Sequence, residues 1–344
     1  MDFSLIVMWL GFFLASYSVV GNDVIQTLGT FLTSNENRLR WYVLWLYGAG
    51  ILIAALVYGY FYTDISYGRL EKFRETIAVL DYKWFYLLPP IILLTITRFG
   101  IPVSTTFMIL TLFSLENVPA DIGALFGSVF DTSSTLGGMV QKSLLGYIIA
   151  FGAAIVIYLA ITRLTEKYFL DNPITKRGSQ FWTAAQWLTT GFLWFQWLTQ
   201  DLANIYVYLR GGYEMSILEF LLSLLILTGL LAYIFYNKGG KVQDVVRSKT
   251  NTADIRSATF IDLIYGIVLY VFKDDYFGLW GGKLPMSTTW VFVGLLAGRE
   301  LAMRIRLEGK ITQPVLRNVV GDALKIMLGL VISVLLVFII KLLS

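Results

Sequence analysis

The sequence predicts an all-α polytopic membrane protein built from two related halves, and three observations lead to this fold class. Of the 344 residues, 57% are hydrophobic and 15% are charged, and the mean hydropathy is +0.68. Soluble chains carry about a quarter charged residues and roughly 45–50% apolar ones, so this composition indicates lipid as the surrounding solvent. Long runs without charge recur along the chain, and two short polar phrases each occur twice in the same order. A water-soluble enzyme is therefore excluded.

The charge-free runs predict the helices in order. A span needs about 20 mostly apolar residues, so runs of 10 to 15 residues are expected to be re-entrant or broken helices buried by their neighbours. We expect a first transmembrane repeat over 1–162, a polar linker over 163–177 and a second repeat over 178–344. The runs are 3–22, 24–35, 41–63, 84–97, 99–115 and 143–162, and then 178–200, 221–237, 263–272, 284–298 and 326–340.

Two residue types are missing from the sequence, which narrows the chemistry. The chain has no cysteine and no histidine, so thiolate chemistry, disulfides, imidazole ligands and histidine-based acid–base catalysis are excluded. We expect no cofactor. The 27 basic and 23 acidic side chains lie mainly between the apolar runs, which is typical of membrane topology rather than of nucleic-acid binding. The expected location is the cell (inner) membrane, with the lipid bilayer as partner.

The repeated phrases divide the chain into two corresponding halves. Pro-Val-Ser-Thr-Thr-Phe at 102–107 matches Pro-Met-Ser-Thr-Thr-Trp at 285–290. Asn-Asp-Val-Ile-Gln at 22–26 matches Gln-Asp-Leu-Ala-Asn at 200–204, and both read amide, Asp, two apolar residues, amide. Duplicated halves with interrupted apolar segments are typical of secondary transporters, whose site lies between the repeats near the midplane. Inverted repeats are expected, although the number of crossings per half is left open.

The two acidic phrases predict a cation site. An ionised carboxylate beside an apolar run costs several kcal/mol unless it is paired, solvated or bound to a cation. Residues four apart share a helix face, so each phrase places two side-chain amides beside its carboxylate. With the carbonyls of an unwound turn, these oxygens would form a cage for an alkali ion. A lone Asp is often only a helix cap, but the duplication argues against that interpretation. The predicted sodium ligands are Asn22, Asp23, Asp201 and Asn204.

The two hydroxyl-rich phrases predict an anion site. Proline is tolerated at the first position of a helix, and the free backbone donors of the first turn attract anions. Hydroxyls add donors without fixed charge, which favours an oxyanion that is bound and then released. The alternative is that Ser and Thr bond back to their own helices or hold helices together. The predicted substrate-binding residues are Ser104, Thr105, Thr106, Ser287, Thr288, Thr289, Gln26 and Gln200.

Four other charged residues flank the apolar runs and are given structural roles. Arg98 and Lys283 precede the hydroxyl phrases, and we expect them to reach towards lipid head groups. Glu219 and Asp262 have no counterpart in the other half, so both are predicted to be boundary residues.

The phrases together resemble a known family. Gly-Asn-Asp-Val at 21–24 followed by Leu-Gly-Thr at 28–30, both Pro-x-Ser-Thr-Thr phrases and the 200–204 phrase resemble, in order, the motifs of the inorganic phosphate transporter (PiT) family of cation-coupled symporters. The resemblance implies an inverted-repeat helical fold, sodium at the acidic phrases and phosphate at the hydroxyls. In some members protons or metal–phosphate complexes take part. The chain departs from the family motifs at Gln26, Gln200, Phe107 and Trp290.

The resulting hypothesis is a secondary active transporter that couples sodium to the symport of inorganic phosphate by alternating access. It is expected not to be an enzyme, and a homo-oligomer is compatible with the sequence. The first alternative keeps the architecture and moves sulfate or a phosphorylated or carboxylated metabolite, or couples to protons. The others are a membrane enzyme acting on lipid phosphate groups and a non-transporting sensor or scaffold.

Overall fold

The computed structural model describes residues 2–98, 103–113, 121–161, 171–238, 254–274, 276, 278, 286–308 and 313–343. Within these ranges the regular structure is helical, which confirms the predicted all-α class. The α-helices are α1 (Phe3–Asn35), α2 (Trp41–Tyr62), α3 (Arg74–Ala78), α4 (Leu88–Arg98), α5 (Thr105–Leu110), α6 (Ile122–Phe130), α7 (Thr135–Ile161), α8 (Lys176–Tyr206), α9 (Ile217–Tyr236), α10 (Ile255–Lys273), α11 (Thr288–Glu308) and α12 (Gln313–Leu343).

Six of the described helices are long and apolar enough to cross a membrane, namely α1, α2, α7, α9, α10 and α12. The protein is therefore an integral membrane protein. Two further long helices, α8 with 31 residues and α11 with 21, are less apolar. Both carry polar residues of the repeated phrases, and they pack inside the bundle against α10 and α7. Polar side chains are thus concentrated on the inner helices, as lipid outside the bundle requires.

The helices that carry the acidic phrases are continuous. The predicted runs 3–22 and 24–35 form one helix of 33 residues, so α1 passes through Asp23 without a break. Likewise, α8 passes through Asp201. The expected unwound turn beside each carboxylate is therefore wrong. A continuous helix satisfies its own backbone groups, and the polar side chains are left to bond with other helices.

The corresponding helices α1 and α8 run antiparallel. Near the start of α1, the ring of Phe12 lies 5.5 Å, centroid to centroid, from that of Tyr206 at the end of α8. At the end of α1, Asn35 Nδ2 donates to Gln186 Oε1 over 2.8 Å, in the first third of α8. Opposite directions of equivalent helices are the relation expected of inverted halves.

Short helices occur where the first hydroxyl phrase lies. With 11 and 6 residues, α4 and α5 are too short to cross a bilayer, so the expectation of broken helices holds in the first half. In the second half the expectation of broken helices is wrong, because the runs 284–298, 326–340 and 263–272 belong to α11, α12 and α10, which have 21, 31 and 19 residues. The sequence signal is interrupted there because α10 carries buried polar residues, including Arg256, Thr259 and Asp262.

The contact between α7 and α11 depends on two glycines spaced four apart. A Cβ atom at Gly294 would lie 2.5 Å from the carbonyl oxygen of Tyr147, and one at Gly298 would lie 2.3 Å from that of Phe151. These distances are shorter than any real carbon–oxygen contact, so the two backbones approach more closely than other residues permit. Small residues at this spacing are typical of helix packing in membranes.

We expect Gly298→Ala to destabilise the protein, because the added methyl group must push α11 away from α7. Overpacking of this kind costs roughly 1–3 kcal/mol. Gly152→Ala on α7 is the matched control, since a Cβ there meets nothing within 4 Å. Thermal unfolding in detergent, followed by tryptophan fluorescence, should show a lower midpoint for Gly298→Ala alone. Equal midpoints for the two variants would contradict the close contact.

Candidate functional site

Two fully buried carboxylates, one from each half, form the centre of the candidate site. Asp23 on α1 and Asp201 on α8 are both 0% exposed. Oδ1 of Asp23 accepts from the side-chain amide of its neighbour Asn22 over 2.6 Å. Oδ1 of Asp201 accepts from the side-chain amide of Asn204, one helical turn on, over 2.7 Å. Each carboxylate is therefore paired with an amide of its own helix.

The hydroxyl phrases mark the starts of α5 and α11. Ser104 Oγ accepts from the backbone N–H of Phe107 over 3.2 Å, and Ser287 Oγ accepts from that of Trp290 over 3.3 Å. Both serines thus cap their own helices. The helices begin at Thr105 and Thr288, each three residues beyond the proline expected at its first position. Both prolines lie outside the described residues. The serine hydroxyls are engaged in capping, so the threonines are the residues that reach the carboxylates.

Threonine hydroxyls link the two halves. Thr105 Oγ1 donates to Asp23 Oδ2 over 2.7 Å and accepts from Asn204 Nδ2 over 3.1 Å. Thr106 Oγ1 is 3.3 Å from the same Asn204 nitrogen and 3.5 Å from Asp201 Oδ1. A hydrogen-bonded chain therefore runs from the carboxylate of one half to that of the other.

The second hydroxyl phrase joins this chain from α11. Gln26 Nε2 donates to Thr289 Oγ1 over 3.4 Å, and this hydroxyl lies 3.4 Å from the carbonyl oxygen of Val103. The Ser287 backbone N–H donates to Ser143 Oγ on α7 over 2.8 Å. The starts of α5 and α11 thus meet between α1 and α8, and the structure brings the acidic and hydroxyl phrases into one place.

Within the described residues, four buried oxygens at this place have no hydrogen-bond partner at standard distance and angle. They are Gln26 Oε1, Asp201 Oδ2, Asn204 Oδ1 and Thr288 Oγ1. The Thr288 hydroxyl lies beside the Asp201 carboxylate. A buried acceptor without a partner costs about 1–3 kcal/mol, so native proteins rarely leave one. Carboxylate, amide and hydroxyl oxygens are the ligands that hard cations prefer, and these four residues can therefore hold such a cation.

Gln200 lies away from the predicted substrate site, and the two residues that depart from the family motif after Ser-Thr-Thr contact each other. Gln200 does not join the hydroxyls, because its Nε2 lies 3.4 Å from the carbonyl oxygens of Gln196 and Leu269 and so faces the backbone of α8 and α10. Phe107 and Trp290, which follow the two Ser-Thr-Thr phrases, pack edge to face with ring centroids 5.9 Å apart. Aromatic packing therefore fills the space behind the paired helix starts.

The prediction that Asp262 is a boundary residue is wrong. Asp262 lies in α10, is 0% exposed, and accepts hydrogen bonds from the hydroxyls of Thr30 on α1 and Thr190 on α8. Thr30 follows Asp23 by seven residues, or two helical turns, on the same face of α1. That spacing is the sequence signal for this second polar cluster.

The other three flanking charges have different outcomes. Glu219 is a boundary residue as predicted, because it forms a capping box with Ser216 at the start of α9. The side chain of Arg98 and the whole of Lys283 lie outside the described residues.

An aromatic layer closes the end of the bundle where α1 begins. The Tyr82 hydroxyl donates to the carbonyl oxygen of Val207 over 2.7 Å, and the Tyr208 hydroxyl donates to that of Tyr86 over the same distance. The ring of Phe113 lies 5.3 Å, centroid to centroid, from that of Tyr208. Val207 and Tyr208 follow Asn204 by three and four residues, about one helical turn, so this layer lies next to the polar centre.

The fold and the site define a helical integral membrane protein in which two antiparallel helices, α1 and α8, flank a buried polar centre. No family model and no curated protein matches the chain. The chain is similar to a solved structure described as the sodium-dependent phosphate transporter, with 20% sequence identity, a TM-score of 0.55 and 100% of both chains covered. At this identity the likeness shows the fold, so the all-helical membrane architecture implied by the motif resemblance is confirmed.

The Asp262 cluster makes a stability prediction. Thr30→Val keeps the shape of the side chain but removes one of the two hydroxyl donors, which should cost about 1–3 kcal/mol because the carboxyl stays buried. Thr228→Val is the control, since that hydroxyl donates only to carbonyls of its own helix. We expect a lower thermal midpoint in detergent for Thr30→Val than for the control. A Thr30→Val protein as stable as wild type would show that the bond to Asp262 contributes nothing.

Proposed function

We propose that the protein is a secondary transporter that couples sodium to the movement of inorganic phosphate by alternating access, in the cell (inner) membrane. The observation that carries this proposal is the set of four buried oxygens without donors, next to threonine hydroxyls at two helix starts. The first group suits a hard cation and the second suits an oxyanion. A solved protein with this fold is described as a sodium-dependent phosphate transporter, which supports the same cargo and the same ion.

The charges of the site give a physical reason for coupling. Asp23 and Asp201 interact electrostatically with each other, and both are removed from solvent. With both carboxylates ionised, the centre repels an anion such as phosphate. Bound sodium ions neutralise the carboxylates, and the hydroxyls and backbone donors then present an anion site. The anion therefore binds well only after the cations, which links their movements thermodynamically.

The chemistry of the site also favours a transporter over a membrane enzyme. An enzyme acting on lipid phosphate groups needs a nucleophile with a base beside it. The sequence contains no histidine or cysteine, and the Thr105 hydroxyl, which donates to Asp23, also accepts from the Asn204 amide, so one of the lone pairs that a nucleophile needs is engaged. An unchanged lipid profile after incubation with the pure protein would agree with the proposal, and a lipid product would contradict it.

The proposal predicts that both carboxylates are required for coupling sodium to phosphate uptake. Asp23→Asn or Asp201→Asn removes the negative charge that offsets the cation, so sodium-stimulated uptake of labelled phosphate into proteoliposomes should fall to background. Both variants should still insert into the membrane, because the amide keeps the shape of the side chain. Asp131→Asn, at an exposed turn before α7, is the matched control and should retain uptake. Sodium-stimulated uptake that persists in both site variants would contradict the scheme.

A second prediction concerns the unpartnered hydroxyl of Thr288. Thr288→Val removes one polar neighbour of the Asp201 carboxylate but no hydrogen bond of standard geometry among the described residues, so the thermal midpoint should fall less than it does for Thr30→Val. If this oxygen contacts the transported ions, however, the half-saturating concentration of sodium or of phosphate should rise about tenfold, the equivalent of about 1.4 kcal/mol. Thr95→Val, whose hydroxyl donates to its own helix on an exposed face, should match wild type. Unchanged half-saturation for both ions would remove Thr288 from the site.

The cargo and the coupling ion are separated by competition. Unlabelled sulfate and phosphorylated or carboxylated metabolites should compete poorly with labelled phosphate if phosphate is the substrate. An imposed sodium gradient should accelerate uptake, whereas a proton gradient alone should not. Strong competition by another anion, or uptake driven by protons alone, would select the corresponding alternative.

A further inference from the structure

A buried arginine outside the repeated phrases lies close to the candidate site. Arg69 belongs to the connection between α2 and α3 and is only 2% exposed. The preceding residues, Tyr67 and Gly68, have φ values of 54° and 77°, a left-handed turn for which glycine is favoured. The Gly68 N–H donates to Asp64 Oδ2 over 2.8 Å, and the Tyr67 hydroxyl donates to the carbonyl oxygen of Ala55 over 2.7 Å. This anchored turn directs the Arg69 side chain into the protein.

The guanidinium of Arg69 contacts the end of α10. Its Nη2 donates to the carbonyl oxygen of Lys273 over 2.5 Å and lies 3.8 Å from Asp274 Oδ1. A cation at a helix C-terminus is favoured by the helix dipole. In contrast, its Nε is buried and has no hydrogen-bond partner among the residues that the structure describes. The contacts at α10 therefore use only part of the donor capacity of this side chain.

The contact at the end of α10 places the charge of Arg69 beside the polar centre. One helical turn before Lys273, the carbonyl oxygen of Leu269 lies 3.4 Å from Nε2 of Gln200, the residue that precedes Asp201. Burial lowers the pKa of Arg69 to about 10, while the charges of Asp274 and Asp201 oppose that shift. Since this pKa lies well above neutral pH, the side chain remains a cation. The side chain of Asp274 is 27% exposed, so solvent screens that pair, whereas Asp201 is fully buried.

We propose that Arg69 is the resident counter-ion of the central site and that its fixed positive charge determines specificity for an anion once cations are bound. This inference depends on the proposed function. In the empty site, Arg69 offsets one of the two carboxylates, so it weakens cation binding. When sodium ions neutralise the carboxylates, the charge of Arg69 is no longer offset by them, because its remaining partner Asp274 is partly exposed to solvent. The positive charge then strengthens the binding of phosphate. One fixed charge thus has opposite effects on the two ligands.

A purely structural role makes a different prediction. If Arg69 only clamped the end of α10, its loss would disturb the start of α11 and weaken both ligands together. The sign of the two effects, rather than their size, therefore distinguishes the two roles.

The test uses Arg69→Gln and Arg69→Lys in the full chain, with Arg74→Gln as the matched control. Arg74 is the first residue of α3, five positions after Arg69, but its guanidinium lies 4.6 Å from the centroid of the Tyr213 ring. Sodium binding is followed without phosphate by tryptophan fluorescence, and the KM for phosphate is measured from uptake at saturating sodium. For Arg69→Gln we expect tighter sodium binding and a KM for phosphate raised roughly tenfold, within the usual range of coupling between sites. Arg69→Lys should lie between Arg69→Gln and wild type, and Arg74→Gln should match wild type.

Asp274→Asn keeps the proposal testable if the Arg69 variants do not fold. Removing this partner leaves the charge of Arg69 less compensated, so sodium should bind more weakly and phosphate more tightly than in wild type. Changes of the same sign for both ligands, or no change in either, would overturn the role of Arg69 while leaving the transporter proposal intact. Absence of sodium-stimulated phosphate uptake in wild type would instead overturn the proposed function, and this inference with it.

Discussion

Two ionisable carboxylates at membrane depth are the constraint on which the rest of the structure depends. Each would cost several kcal/mol if it were ionised and unpaired in a low-dielectric interior. In the described part of the chain, the carboxylates accept hydrogen bonds from amides of their own helices and from a threonine hydroxyl of α5. The charge of Arg69, from the connection between α2 and α3, also favours the ionised form of Asp201. The remaining oxygens without donors define the space in which a cation completes the set.

The packing of the bundle follows from bringing these groups together. Both α5 and α11 must begin at the centre, so each needs a cap of its own, and Ser104 and Ser287 provide it. In turn, α11 is held by its close glycine contact with α7, which fixes where its first turn lies. The aromatic layer at the end of the bundle includes Tyr82, between α3 and α4, and Tyr208, after α8. The hydroxyls of both tyrosines donate to backbone carbonyls. Apolar surface is left for lipid on the outer helices.

Much of this could be predicted from the sequence because the informative signals are local or duplicated. Composition and charge-free runs predicted the class, and the repeated phrases predicted which residues the fold would bring together. The break expected at Asp23 was wrong because a side chain that bonds to another helix need not disturb its own backbone.

Other residues could not be assigned because their partners are distant in the chain. Asp262 bonds to hydroxyls 232 and 72 positions away, and the seven-residue spacing of Asp23 and Thr30 on α1 does not indicate which distant residue they face. Arg69 lies in a polar connection that is rich in basic residues, so its sequence context does not predict burial. The left-handed turn at Tyr67 and Gly68 directs it into the protein.

The unbroken course of α1 and α8 limits where the protein can bend. A helix of more than 30 residues that keeps its ladder of backbone bonds is stiff, so Asp23 and Thr30 must move together, as must Asp201 and Thr190. By contrast, α5 and α11 begin at the centre and place Thr105 and Thr288 in their first turns. A change of shape at the centre is therefore expected at these two helix starts, while the two carboxylates keep their positions on unbroken helices.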